Sequence, residues 1–166
     1  MKELLEKALR HASAHPFGHD DKGYILRAWA SAHDKWREQV ILSHDFKLVH
    51  IGYTMSHEQL ENLPPIPSIA GIQIEDWSPA RDFELWQALN QGFSDMKTFS
   101  SLSWNTWQKL YHLQRDDQEL WCLAIDQQTN KVVGLAIAEI DRKANQNSGR
   151  RDGWVVDLAV IPGWRG

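Results

Sequence analysis

Asp152-Gly-Trp-Val-Val-Asp-Leu-Ala-Val-Ile-Pro-Gly-Trp-Arg-Gly166 carries the strongest local signal in this chain. From Trp154 to Ile161 the run is apolar and rich in β-branched residues, with a single acid, Asp157, inside it. That composition over eight residues predicts a buried strand. Pro162 ends it, because proline cannot donate to a ladder and fixes its own φ. Gly163-Trp164-Arg165-Gly166 follows as a turn.

Upstream lie two further apolar runs, Glu119–Asp126 and Lys131–Ile140. The Gln-Gln-Thr-Asn segment between them predicts an antiparallel hairpin. Asp141 to Arg151 is polar and reads as a loop. Before the hairpin, Phe83, Trp86, Leu89 and Phe93 recur at helical spacing, as do Trp104, Trp107, Leu110 and Tyr111 behind an N-cap candidate, Ser103. Ile72–Trp77 is a short strand. Residues 57–71 change character: Leu63-Pro-Pro-Ile-Pro67 favours a stiff, extended linker. Ahead of it, Met1–His15 and Ala32–His44 read as helices, the second capped by Asp34. Tyr24–Ala30 and Phe46–Ser56 read as strands, and His15–Gly23 as a loop.

Length and composition narrow the function classes. The chain has 166 residues, enough for one cored domain, and a formal net charge of −4. No basic stripe stands out, so nucleic acid is not an expected partner. One cysteine, Cys122, excludes a disulfide framework and points to a reducing, cytoplasmic setting. No apolar run reaches membrane-spanning length, and the N-terminus lacks a signal-peptide pattern. The eight histidines form no ligand pattern, so no metal site is expected. Nine tryptophans suit core and helix packing.

The segment Val156–Gly166, a strand running into Pro, an aromatic and Arg-Gly, resembles the core motif of the GNAT acyltransferases. Asp126-Gln-Gln-Thr-Asn-Lys-Val-Val-Gly134 is similar to a hairpin signature of the same family. The resemblance implies an α/β (α+β) fold with a mixed, mostly antiparallel sheet flanked by helices. It also implies acetyl-CoA as co-substrate and a primary amine as acceptor; a small-molecule amine is the expected partner, and the resemblance leaves open a small amine, an amino sugar, an antibiotic or a protein terminus. The backbone of Leu158, Ala159 and Val160 would meet the acetyl and pantetheine groups, and Arg165 and Gly166 would begin the turn that cradles the pyrophosphate. Free N–H groups attract phosphate there, and glycine lets the backbone approach. The motif's later glycines have no counterpart here, because their positions fall after the last residue, Gly166.

Residues 72–166 look like the first half of a GNAT domain, and residues 1–56 like the second half of one, so the halves stand in reversed order across the 57–71 linker. The expectation is a segment of a tandem-GNAT protein of the mycothiol-synthase-like type, its halves packed within one permuted chain or exchanged in a domain-swapped homodimer. The family's general-acid tyrosine precedes a Gly-Phe pair. In the matching segment, Val40–Phe46, Ile41 stands at the tyrosine position and Asp45 at the glycine position.

Asp157 is the first catalytic candidate. A lone carboxylate in an apolar strand is costly unless paired or solvated. Facing an acceptor site it is a general base for the amine; facing a solvated cleft or a cation it is structural. Glu139, near the end of the preceding strand, is the second candidate, with solvation as its plain alternative. Phe93, Phe99, Trp104 and Trp107 either shape the acceptor pocket or pack helix to sheet. A non-catalytic GNAT-like binding or assembly module is the alternative to the enzyme.

Overall fold

A computed structural model of the chain describes residues 2–14, 26–58, 60–109 and 117–166. The chain divides into two compact units, Met1–Ser56 and His57–Gly166.

The first unit holds helix α1 (Lys2–Ala14) and helix α2 (Lys35–Leu42), neither with a buried residue. Asp34 caps α2 as expected: its Oδ1 accepts the Arg37 N–H at 3.1 Å. His44 joins the two helices, with Nδ1 2.8 Å from the Val40 carbonyl and Nε2 3.6 Å from Glu6. The strands expected over Tyr24–Ala30 and Phe46–Ser56 are not formed among the described residues; Tyr24, Ile25 and the expected loop up to Gly23 lie outside them. The reason is physical. Alternation marks which residues would share a face, but a strand exists only when a neighbour completes its ladder. Here Leu48 and Tyr53, from opposite phases of the alternation, are both largely exposed.

In the second unit, residues 57–71 carry no helix or strand among those described. Then come β1 (Ile72–Asp76), a 3₁₀ turn (Pro79–Arg81), α3 (Asp82–Gly92), α4 (Trp104–Trp107), a 3₁₀ turn (Gln118–Leu120), β2 (Cys122–Asp126), β3 (Lys131–Glu139), α5 (Arg142–Ser148) and β4 (Trp154–Val160). The strands form one sheet in the order β1-β2-β3-β4, every pair antiparallel. This agrees with the expected mostly antiparallel sheet flanked by helices.

Local chemistry fixes the connections. Asp126 closes the β2–β3 hairpin by accepting from the N–H groups of Gln128 (3.2 Å) and Thr129 (3.1 Å) and from the Thr129 hydroxyl. Arg81 then ties the start of α3 to the same turn through the Asn130 carbonyl, at 2.9 Å. Ser103 caps α4 as expected, and the stretch from Leu110 to Leu113, expected to continue that helix, lies outside the described residues. Asp141 to Arg151, expected to be a loop, instead contains α5. Asp141 caps it by accepting the Ala144 N–H at 2.8 Å, and Gly149 ends it at φ 68°. An Asp before and a left-handed Gly after are helix boundary signals. They were readable in the sequence, but no apolar stripe accompanied them.

The core lies between α3 and the sheet. Leu85, Ala88 and Leu89 meet Leu123 and Ile125 of β2, Leu135 and Ile137 of β3, Ala159 of β4, and the fully buried Trp107 and Trp121. Trp77, Trp86 and Trp104 pack against this cluster, whereas Trp29, Trp36, Trp154 and Trp164 are exposed. No helix among the described residues is long and apolar enough to cross a membrane.

β4 departs from its expectation. Of its seven residues only Ala159 is buried, and Leu158 is 71% exposed. Among the described residues β4 is an edge strand, and α3 covers one of its faces. An apolar run shows that a strand can be covered on both sides; the neighbours decide whether it is.

Candidate functional site

The candidate site is the outer edge of β4, and the pairing with β3 sets which groups it presents. Leu135 faces Ala159 and Ile137 faces Asp157, but the next pair is Ala138 with Val155. One step along β3 thus matches two along β4, and Val156 is left as the extra residue of a β-bulge. Bulges bend and twist an edge and recur beside active sites, where they re-aim groups. Sequence reading missed this one, because nothing in Val155-Val156-Asp157 distinguishes a bulge from a regular strand.

Beyond the bulge, the Ile161 N–H donates to the Val133 carbonyl at 2.9 Å. By the two-residue alternation of a ladder, Ala159 also turns its backbone groups toward β3, while Leu158 and Val160 turn theirs outward. The three candidates of this strand therefore separate. Leu158 and Val160 present backbone N–H groups at the open edge. Ala159 is held inside the sheet, its side chain against Gly92 of α3. A Cβ placed on Gly134, across the ladder, would lie 3.2 Å from the Ala159 carbonyl oxygen, so small residues keep this part of the sheet tight.

Asp157 is opposite Ile137, a core residue, so it belongs to the face that α3 covers, and it is half-buried. Glu139 lies two residues from Ile137 on β3, opposite Trp154, and is also half-buried. The two carboxylates therefore occupy one face on either side of the bulge, their positions separated along the strand by roughly 7 Å. Sequence reading had chosen them separately, and the sheet brings them together.

The other end of β4 is fastened. Ile161-Pro162-Gly163-Trp164 is a turn with proline second, glycine third at φ 92°, and a Trp164 N–H to Ile161 carbonyl bond of 3.2 Å. From this turn Arg165 reaches back to α3. Its Nε donates to the Val160 carbonyl (2.8 Å), Nη1 to Asp95 (2.6 Å) and Nη2 to the Gly92 carbonyl. Hydrogen bonding from Arg165 holds the Asp95 carboxyl below the usual carboxylate range. The Arg165 guanidinium is thus committed to the fold.

The aromatic residues offered as an acceptor wall act in packing. Trp107 is fully buried and donates from Nε1 to Asp82 at 3.2 Å. Phe93 stacks on Phe99 at 5.5 Å, and Trp104 meets Trp86 at 5.6 Å. In the first unit, Asp45 adopts φ 63°. This is the left-handed conformation that glycine favours, at the position where the resembling motif carries glycine. Among the described residues no three His, Cys, Asp or Glu side chains converge as metal ligands would.

No family model and no curated protein matches the chain. Among solved structures it is similar to a GCN5-related N-acetyltransferase from Sphaerobacter thermophilus, with a TM-score of 0.52 and 23% sequence identity. The match covers 64% of this chain and 31% of that one, so the chain spans less than a third of the length of the structure it resembles. This likeness shows a GNAT-like fold.

Proposed function

We propose that the chain is part of an N-acetyltransferase that moves the acetyl group of acetyl-CoA to the primary amine of a small molecule. The observation that carries this reading is the bulged, open edge of β4, with Leu158 and Val160 directing backbone N–H groups outward beside a half-buried Asp157. An extended amide-bearing arm, such as pantetheine, can pair with that edge as an added strand. The GNAT-like fold supports the same assignment.

Acetyl-CoA supplies an activated thioester carbonyl. The chain's part is positioning, charge stabilisation and proton movement. The outward N–H of Leu158 is the donor best placed for the carbonyl oxygen. Asp157 accepts the proton that the ammonium must lose before its nitrogen can attack, and Glu139 on the same face is the second acceptor. The new C–N bond then replaces the C–S bond, and the sulfur leaves as a thiolate that takes up a proton. At the far end, the Arg165 side chain pins the turn, leaving the backbone of Arg165 and Gly166 for a phosphate. In the same reading the first unit derives from a second GNAT-like domain of a tandem protein, supported by the left-handed Asp45 that follows α2.

The second reading is a GNAT-like module that binds without chemistry. The commitment of the Arg165 guanidinium to Asp95 and Gly92, and Ile41 in place of a tyrosine, favour it. Incubating the 166-residue chain with acetyl-CoA and a panel of primary amines separates the two. Free thiol and acetylated amine above the no-protein rate establish the enzyme. Saturable acetyl-CoA binding without turnover establishes the module, and neither outcome together with a folded chain overturns both.

A further inference from the structure

The connection between β3 and β4 forms a groove apart from the bulge and from the Arg165–Gly166 turn. It has a volume of about 390 Å³ and is lined by Ile140, Arg142, Asn145, Arg150, Arg151 and Asp152 among others. In a chain of net charge −4, three arginines, Arg142, Arg150 and Arg151, line one concavity.

The lining is held in place. Arg142 is ion-paired with Asp117, a buried carboxylate whose Oδ2 accepts the Ile140 N–H at 2.8 Å. Asn145 clamps the loop by donating to the Asp152 carbonyl (2.8 Å) and accepting the Asp152 N–H (3.1 Å). The left-handed Gly149 and the Arg150 N–H bond to the Asn145 carbonyl fix the turn between them. Arg150 and Arg151 are thus carried on a braced loop. Arg150 has only a long, exposed pairing with Asp152, 3.6 Å, and Arg151 has no acidic partner among the described residues. Each guanidinium offers donors in a planar fork that matches a carboxylate or phosphate.

We infer that this groove binds the oxyanion end of the acceptor, a primary amine that also carries a carboxylate or phosphate. The anion site needs only the groove; its assignment to the acceptor rests on the acyl-transfer reading. Gly153 in the groove is three residues from the bulge at Val156, roughly 10 Å along the strand. The Arg165–Gly166 turn lies beyond the opposite end of β4, so the groove is separate from the proposed phosphate cradle.

The test uses the full chain, with succinate and pyrophosphate as probes and binding read by calorimetry at low and high salt. We expect saturable, salt-sensitive binding of at least one probe, weakened at least about tenfold in an R150Q/R151Q double variant. Which probe binds tells carboxylate from phosphate. Both substituted side chains are exposed, and unchanged circular dichroism checks the fold. Absent binding, or equal binding by chain and variant, overturns the site. For the acceptor, turnover of an amino acid such as glutamate is compared with that of its fully amidated form. A preference for the acid that disappears in the double variant supports the assignment. Equal turnover of acid and amide overturns it while leaving the anion site standing. Binding without turnover of any amine overturns the acyl-transfer reading instead.

Discussion

Gly92 of α3 and Ala159 of β4 approach so closely that a Cβ built on Gly92 would sit 2.8 Å from the Ala159 methyl. The helix that covers the sheet is therefore seated on the strand that carries the candidate site through two of the smallest residues. Arg165 fastens the same corner by bonding the Gly92 carbonyl.

A Gly92→Ala change follows directly. Alanine is worth up to about 1 kcal/mol over glycine in a helix interior and less at Gly92, the last residue of α3, which favours the variant slightly. The clash opposes it, because overpacking a tight contact costs about 1–3 kcal/mol. At 2.8 Å against a methyl that cannot rotate away, the clash wins. We expect a lower urea midpoint for Gly92→Ala and recovery in the Gly92→Ala/Ala159→Gly double variant. A midpoint that rises in the single variant would refute the contact.

Arg165 provides a second test. Arg165→Gln removes the charge and the fork that spans Asp95, Gly92 and Val160. Both ionic partners are partly exposed, so global stability should change little. The local turn should loosen. Hydrogen exchange at Trp164, whose N–H bonds Ile161, should accelerate, with Arg165→Lys intermediate. Unchanged exchange would mean that the proline and glycine hold the turn unaided.

Asp117 and Asp126 make stability depend on acid. The Ile140 N–H, then Arg142, hold the Asp117 carboxyl below its ordinary range; the Thr129 hydroxyl does the same for Asp126. A depressed folded-state pKa binds fewer protons than the unfolded chain. The stability it contributes is fully present above the ordinary carboxylate pKa of about 4 and is lost as pH falls through the lower folded values. Asp117→Asn should therefore lower the urea midpoint at pH 7 and flatten its decline below pH 4. Parallel curves for the variant and the natural chain across that window would count against the pairing.

For the proposed chemistry, Asp157→Asn keeps shape and removes the carboxylate proposed as the base. If acetyl transfer occurs, kcat/KM should fall about 10²–10⁴-fold, with acetyl-CoA affinity unchanged. Raising pH should partly restore the rate, because more of the amine is then neutral without help. A variant as fast as the natural chain would pass the role to Glu139.

Much of the second unit was legible in local chemistry. The Asp126–Asn130 turn predicted the β2–β3 hairpin, Ser103 predicted a helix cap, as Asp34 did in the first unit, and Pro162-Gly163 predicted the end of β4 and its turn. These features depend on side-chain and backbone bonds within a few residues, so sequence order displays them. The core was legible in part: the apolar runs of β2 and β3 and Leu89 of α3 belong to it, whereas Leu85 and Ala88 lie off the expected Phe83–Trp86–Leu89–Phe93 stripe and Phe83 is half exposed. Helix α5 was missed although its boundary residues were present, since a polar helix has no stripe to reveal it.

Properties that belong to pairs of elements escaped. Trp154–Ile161 had the composition of a buried strand, yet burial is a relation to neighbours, and α3 covers one face while the outer edge lies open. Phe46–Ser56 had the alternation of a strand but no ladder to join. The bulge at Val156 comes from register against β3, and Arg165 turned inward because Asp95 and Gly92 lie within its reach. Asp157 and Glu139 stand far apart in sequence and share a face only through that register. The chain's local order thus specified its strands, caps and turns through short-range bonds. Which strand is exposed, which backbone groups point outward and which charges meet were set by packing between distant segments, where the hydrophobic and electrostatic terms that decide them first arise.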